Sequence, residues 1–181
     1  MAFEDDKFDD STIDTSGTPP ESVVTDFRHD QDLPRTTTQP NPSSIPWPGS
    51  TFIIRSISDG HVITLLNGEI TLAPPGGFGA YRWECVEARG WLGFREHASA
   101  LFLGHDDQGN IACFGKKHLE WENFSVRMKP DGGYVLLAAH GEKHRDGLWP
   151  LGIKKDKQGV VRLVRFKGPL INAMSWGFCK V

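Results

Sequence analysis

The chain has 181 residues and a formal net charge of −3, with 24% charged and 38% hydrophobic residues. Charge is uneven: residues 1–49 hold ten acids and three bases, a net of −7, so the remainder carries +4. That surplus is scattered, which argues against nucleic acid, a partner that needs a clustered basic face. Without a signal-peptide segment or an apolar run long enough to cross a bilayer, the chain is expected to be cytoplasmic and to have no membrane partner.

Residues 1–48 form an acidic segment rich in Pro, Ser and Thr, and it is predicted to be a disordered tail. Seven of the twelve prolines lie there, and its apolar residues are isolated. Such a segment cannot bury enough surface to offset the roughly 1–2 kcal/mol that ordering each residue's backbone costs. The stretch from Ile45 to Pro48 is apolar and stiff, so we expect it to dock on the edge of the following domain.

Residues 49–181 change to short apolar runs cut by turns, a texture that predicts an all-β domain. The first four strands are predicted at residues 51–56, 62–66, 69–73 and 81–87. Asn67-Gly68, between the second and third, is a strong hairpin signal because both residues accept positive φ. No window keeps helical spacing free of Gly or Pro.

The same pattern of four strands recurs twice more, which predicts repeats at about 50–89, 90–132 and 133–181. Their first strands open at Thr51, Trp91 and Tyr134, which are 40 and 43 residues apart. Each repeat also closes on a strand that contains a tryptophan. A threefold recurrence of this kind is typical of repeats that cannot bury their apolar faces alone and share one core.

Three four-stranded repeats that each end on a core aromatic resemble the β-trefoil, which implies a single trefoil with six barrel strands and a cap of hairpins. Within it, residues 90–124 look most like the fascin-type (actin-crosslinking) branch, and the ricin B-type lectins are the other relative. Ricin-type repeats carry Gln-x-Trp, whereas the triplets at 81–83, 120–122 and 175–177 have no Gln. The resemblance implies a binding module and no enzyme, with carbohydrate as the ligand or, alternatively, actin or another protein.

Six tryptophans are candidates either for the core or for a ligand platform. Those in the closing strand of each repeat are predicted to be core: Trp83, Trp121 and Trp176. Trp91 opens the second repeat and is expected to be core as well. Trp47 and Trp149 break the repeat pattern, so they are the predicted candidates for an exposed platform on which a sugar ring would stack.

The most polar hairpin tip runs from His105 to Asn110 and supplies the predicted ligand site. Asp106, Asp107 and Asn110 are residue types that bind sugar hydroxyls, and Trp149 completes the predicted ligand-binding set. An Asp-rich tip ending in Gly is also what a β-turn requires, so the interpretation that these residues only form the turn stays open. Their spacing does not match a calcium loop.

Motifs for catalysis, cofactors and metals are not found in the sequence. The three cysteines, Cys85, Cys113 and Cys179, are far apart and lie within apolar runs, where we expect buried free thiols. His140, Glu142 and His144 have the wrong spacing for a zinc helix and are interpreted as a solvated loop. We therefore predict no catalytic residue, no metal and no cofactor, and the oligomeric state stays open.

Overall fold

The computed structural model describes residues 43–139, 147–155, 157 and 159–181. Most of the predicted tail, and the predicted loop around His140, lie outside these residues. The described part is all-β with twelve strands: β1 (Thr51–Ser56), β2 (Val62–Leu66), β3 (Glu69–Ala73), β4 (Trp83–Ala88), β5 (Trp91–Glu96), β6 (Phe102–His105), β7 (Ile111–Gly115), β8 (Phe124–Met128), β9 (Tyr134–Ala139), β10 (Leu148–Lys155), β11 (Val161–Arg165) and β12 (Trp176–Lys180). Short 3-10 helices occupy Glu120–Glu122 and Leu170–Asn172.

Six strands close into a barrel. Antiparallel pairing runs from β1 to β4, β5, β8, β9 and β12, and β12 pairs with β1 to complete the ring. The other six strands form the hairpins β2–β3, β6–β7 and β10–β11. Each hairpin is joined by pairing to the first barrel strand of its own set of four. This is the architecture that the trefoil resemblance implies.

Two tight turns show how local sequence sets strand register. Asn67 and Gly68 adopt φ values of 52° and 85°, and they join β2 to β3 as the sequence predicted. Arg89 and Gly90 have φ values of 55° and 81° and join β4 to β5 in the same way. Positive φ at both central residues gives a turn whose twist matches the flanking strands.

The first residue of the fourth strand in each set is a fully buried aromatic. Trp83 begins β4 and Trp176 begins β12, which confirms their core assignment. In the second set, however, the equivalent residue is Phe124, at the start of β8. The prediction that Trp121 is core was wrong: its side chain is 44% exposed, because the 3-10 helix at Glu120–Glu122 comes before the strand.

The barrel interior is packed with aromatic rings. The ring of Phe178 lies 5.8 Å from that of Phe94 and 6.1 Å from that of Phe52, and Phe94 contacts Phe124 at 5.8 Å. Trp83 donates its indole N–H to the carbonyl oxygen of Ile63 at 2.9 Å, which satisfies its one polar group. The ring contacts hold barrel strands together, and the Trp83 hydrogen bond ties the β2–β3 hairpin to the barrel.

The cysteines are buried free thiols, as the sequence predicted. Burial, followed by the charge of a nearby glutamate, raises the pKa of Cys85 and of Cys113 to about 12. Such groups stay protonated in the physiological range and behave as small apolar side chains.

The segment before β1 docks on the domain edge through its backbone. Ser44 donates its N–H to the carbonyl oxygen of Phe178 at 2.8 Å, and Gly49 donates to that of Cys85 at 2.8 Å. Pro46 is buried, whereas Trp47 is 72% exposed. The expected docking is therefore confirmed, and Trp47 has the exposure predicted for it.

Candidate functional site

A groove with a volume of about 1020 Å³ lies on the second set of strands. Its wall comes from the turn between β4 and β5, from Trp91 at the start of β5, from Phe114 at the end of β7 and from residues 115–123 that lead into β8. Trp91, expected to be core, is only half-buried and lines this groove. Two chain segments, residues 88–91 and 114–123, thus meet around one cavity.

Trp121 is the main aromatic surface of the groove. Its ring stacks on the ring of His105, with centroids 5.6 Å apart and planes inclined by 17°. The ring of Phe114 meets it edge-on, at 6.5 Å and 79°. The stack fixes one face of the indole, while its exposed part lines the groove. A sugar ring could pack on such a held aromatic surface.

His105 supports this indole from a buried position. Its Nδ1 lies 2.9 Å from the carbonyl oxygen of Asp106, and its Nε2 lies 3.0 Å from that of Ala139. Burial lowers the pKa of His105, and the charge of Arg165 adds to the lowering, while the two carbonyl contacts act against it. Burial outweighs the two carbonyl contacts, so the imidazole stays neutral to a lower pH than an ordinary histidine, and in that form its single N–H can donate to only one of the two carbonyls.

Glu122 is a buried carboxyl in the groove wall, only 4% exposed. Leu119 donates its backbone N–H to Glu122 Oε2 at 3.1 Å. Two glycines make room for the side chain: a Cβ at Gly115 would collide with the carboxyl, and a Cβ at Gly104 would lie 3.3 Å from Glu122 Cγ. Burial raises the pKa of Glu122, although backbone N–H groups pull it the other way. This group therefore keeps its proton to a higher pH than an ordinary glutamate.

The buried aromatics also fix which triplet in this repeat corresponds to the ricin-type Gln-x-Trp. Because Phe124 occupies the place of Trp83, the matching triplet is Glu122-Asn123-Phe124, two residues later than the sequence predicted. The position of the ricin-type Gln is then held by Glu122. The Glu122 side chain lines the groove.

His118 forms another part of the wall. Its ring stacks on Phe102 with centroids 5.6 Å apart, and it lies so close to Gly93 that a Cβ there would come within 2.8 Å of the ring. Burial lowers the pKa of His118, opposed by the side chain of Asn123 and the backbone of Glu122. At neutral pH the groove therefore presents a neutral imidazole beside the indole.

The predicted acidic site lies on the β6–β7 hairpin, where its polar atoms bind one another. Asn110 donates its backbone N–H to Asp106 Oδ1 at 2.8 Å and its side-chain amide to Oδ2 at 2.7 Å. Burial would raise the pKa of Asp106, but the hydrogen bonds from Asn110 and the turn leave it lowered. Asp107 is exposed. The turn thus uses the carboxylate that was predicted to bind a ligand.

Trp149 lies on β10, half-buried, with the Arg165 guanidinium 5.2 Å from its ring centroid. Arg165 is itself buried, and its backbone N–H donates to the carbonyl oxygen of Gly109 at 2.9 Å. Arg165 therefore brings Trp149 and the hairpin of Asp106 to the same region. The guanidinium covers one face of the Trp149 ring.

The described ranges contain neither a cluster of metal-binding side chains nor a helix that could span a membrane. No group of three or more His, Cys, Asp or Glu residues is placed to hold a metal ion there. None of the described helices has the length and apolar character needed to span a membrane.

No protein-family model matches the chain, and no curated protein sequence matches it. Its structure is nevertheless similar to solved structures. A β-trefoil named BEL has a TM-score of 0.60 at 12% identity, over 78% of this chain and 99% of that one. A ricin B-like lectin from Macrolepiota procera, in complex with lactose, has a TM-score of 0.55 at 14% identity, over 76% of this chain and all of that one. The fold is a β-trefoil.

A third similar structure is a β-1,3-galactosidase, with a TM-score of 0.58 at 9% identity over 76% of this chain. The chain spans only 28% of that enzyme's length. Structural similarity at identities this low shows the fold alone, because proteins with the same fold can have many different functions.

Three groove residues were not predicted from the sequence: Trp121, Phe114 and Glu122. One signal was present: Glu122 stands two residues before Phe124, the spacing of the ricin-type Gln and Trp. The burial of Glu122 depends on Gly104 and Gly115, which reach it only in the fold.

Proposed function

We propose that the chain is a non-catalytic carbohydrate-binding module of the ricin B-like trefoil type, and that its ligand lies in the groove beside Trp121. The observation that carries the proposal is the held indole: one face stacked on His105, the exposed part of the ring lining a cavity of about 1020 Å³. The apolar face of a sugar ring packs well on such a surface.

Polar groups next to the indole supply directional contacts. His118, Glu122 and Asn123 line the same groove. The exposed side chains of Lys116, Lys117 and Glu120 lie beside them and can donate or accept hydrogen bonds, as sugar hydroxyls do. A mostly apolar pocket with a few convergent polar groups is the usual form of a small-molecule site.

Binding without hydrolysis is supported by the position of Glu122. Glycoside hydrolysis requires two carboxyl groups that flank the scissile bond. Glu122 and Glu120 both line the groove, but Glu122 is buried and its Oε2 accepts a hydrogen bond from Leu119. A carboxyl held in the wall in this way is poorly placed to reach a glycosidic oxygen.

Galactosides are the first ligands to test, because a lactose complex and a β-1,3-galactosidase are among the similar structures. A glycan array rich in galactosides should give a clear signal with the wild-type chain. Trp121→Ala should lose that signal while circular dichroism shows a folded protein. Trp47→Ala removes an even more exposed indole outside the groove and should bind as the wild type does.

Two results would overturn the proposal. One is a folded wild-type chain that gives no array signal above background. The other is a Trp121→Ala variant that binds the same glycans as strongly as the wild type. Release of sugar from a bound oligosaccharide, measured by chromatography, would contradict the non-catalytic part alone.

A further inference from the structure

The groove beside Trp121 carries a positive charge that its aromatic lining does not require. Arg89, Lys116 and Lys117 all line it, and all three are exposed. They come from separate parts of the chain: Arg89 from the turn between β4 and β5, the lysines from the connection after β7. Folding therefore gathers onto one cavity some of the bases that looked scattered in the sequence.

In the part of the chain that the structure describes, ion pairs do not neutralise these three bases. Among the described residues, Arg95 pairs with Glu84 at 2.6 Å and Lys129 approaches Asp131 at 3.6 Å. Within that same part of the chain, no carboxylate lies within ion-pair distance of Arg89, Lys116 or Lys117. Their charges are thus available to a ligand.

The opposing acids weaken this charge only in part. Glu120 is exposed and lines the groove, so it offsets one base. Glu122 is buried, and burial raises its pKa, so its negative charge is disfavoured where a ligand would lie. Three exposed bases then face one exposed acid.

We propose that the groove prefers anionic saccharides, those with a carboxylate or a sulfate group, over their neutral counterparts. This inference rests on the proposed carbohydrate function and names the ligand class of the same site. The indole binds the sugar ring, and the nearby bases attract its acidic group. Arginine and lysine are the natural partners of both kinds of anion, arginine with two parallel hydrogen bonds and lysine as a compact charge.

The contribution of these bases is modest because they are exposed. Pairs between exposed charges are each weak and are screened by salt. The preference should therefore be a matter of several-fold, strongest at low ionic strength. An indole without the bases would bind neutral and anionic sugars alike.

The test compares lactose with sulfated lactose and sialylated lactose, by titration calorimetry, and uses an array that prints neutral glycans beside their acidic derivatives. At low salt the two acidic forms should bind about fivefold more tightly than lactose, and at about 0.5 M salt the advantage should shrink towards none. The two acidic forms separate sulfate from carboxylate as the preferred group.

A matched pair of variants locates the charge. Lys116→Gln with Lys117→Gln should bring the acidic forms down to the level of lactose. Lys154→Gln with Lys155→Gln removes an equivalent exposed lysine pair from β10, outside the groove, and should keep the preference.

The outcomes separate this inference from the proposed function. Neutral glycans bound as tightly as, or more tightly than, their acidic derivatives would overturn the preference and leave carbohydrate binding intact. If both double-lysine variants lose the preference for acidic glycans equally, the groove is not the source of that preference. If no glycan of either kind binds to the folded chain, the proposed function fails, and the preference with it.

Discussion

Trp121 stacks on His105 with ring centroids 5.6 Å apart, so that a buried imidazole supports a half-exposed indole. The two residues lie sixteen positions apart in sequence, one at the end of β6 and the other in the 3-10 helix before β8. Their contact couples the β6–β7 hairpin to the groove. A side chain held in this way loses little conformational entropy when a ligand packs on it.

The state of His105 should be visible in the fluorescence of Trp121, because a protonated imidazole quenches an adjacent indole. Burial lowers the pKa of His105, so the quenching midpoint should lie below about 6.5, the value of an ordinary histidine. The measurement is a pH titration of emission, with Trp121→Phe subtracted to remove the other tryptophans. A midpoint at or above that of an ordinary histidine would contradict the prediction.

The same shift predicts acid sensitivity of the fold. Because the pKa of His105 is lower in the folded chain, the folded chain binds fewer protons than the unfolded chain between the folded pKa and about 6.5. The free energy of unfolding should therefore fall as pH drops from about 6.5 through the folded pKa. Urea unfolding at a series of pH values checks this, and stability that rises in the window would be the opposite result.

Glu122→Gln should change the pH dependence of stability in a defined direction. The folded pKa of Glu122 is raised, so the folded chain binds more protons than the unfolded one between the pKa of an ordinary glutamate and the raised folded pKa. The free energy of unfolding therefore falls as pH rises through this window. Glutamine keeps an oxygen to accept from Leu119 and has no charge to bury, so the variant should be more stable than wild type at pH 7 and lack this loss. Urea unfolding at acid and neutral pH measures both effects.

Glu120→Gln is the matched control, because Glu120 is an exposed acid in the same 3-10 helix. Its stability profile should follow that of the wild type. A Glu122→Gln variant less stable than wild type at pH 7 would show that the carboxylate, and not the neutral acid, suits this site.

Gly115→Ala should destabilise the chain and disturb the groove. A Cβ at this position would collide with the carboxyl of Glu122, which two glycines and the Leu119 N–H hold in place. Overpacking of this kind costs about 1–3 kcal/mol in the free energy of unfolding. Thermal or urea unfolding gives the value, and ligand titration gives the effect on the groove.

Gly77→Ala serves as the comparison for Gly115→Ala. Its new Cβ would lie 3.4 Å from the carbonyl oxygen of Pro74, which is ordinary contact, and no positive φ is required there. A small or favourable change in stability is expected. Equal losses in the two variants would remove the argument that Gly115 makes room for Glu122.

Two equivalent core tryptophans should respond differently to the same substitution. Trp83 donates its indole N–H to the carbonyl oxygen of Ile63, whereas the buried N–H of Trp176 has no acceptor among the described residues. Trp83→Phe loses a hydrogen bond and leaves a carbonyl unsatisfied, so it should cost about 1 kcal/mol more than Trp176→Phe. Denaturant midpoints, measured with unchanged m-values, show which variant is less stable. A Trp176→Phe variant less stable than Trp83→Phe would contradict the prediction.

Much of the fold was predictable because its signals are local. Asn67-Gly68 fixes the β2–β3 hairpin through its positive φ values. The recurring openings at Thr51, Trp91 and Tyr134 coincide with the starts of β1, β5 and β9. Turn chemistry and short apolar runs act within a few residues, so one sequence suffices to read them.

The site was less predictable because it depends on contacts between distant residues. Trp121 and Phe124 lie in one aromatic-rich stretch, and hydrophobicity alone does not say which of them enters the barrel. The 3-10 helix decides it, by delaying the strand until Phe124. Likewise, Asp106 resembled a ligand residue in the sequence, but its carboxylate is used by Asn110 within the turn.

The central claim is that a sugar packs on the Trp121 indole, and NMR of the tryptophan indole N–H groups tests it most directly. On titration with a glycan identified by the array, the account predicts that the Trp121 resonance, assigned with Trp121→Phe, shifts progressively to saturation while that of Trp47 stays fixed. Shifts at Trp149 and at the backbone amides of Asp106 and Asn110, with Trp121 unchanged, would contradict it and place the ligand on the β6–β7 hairpin.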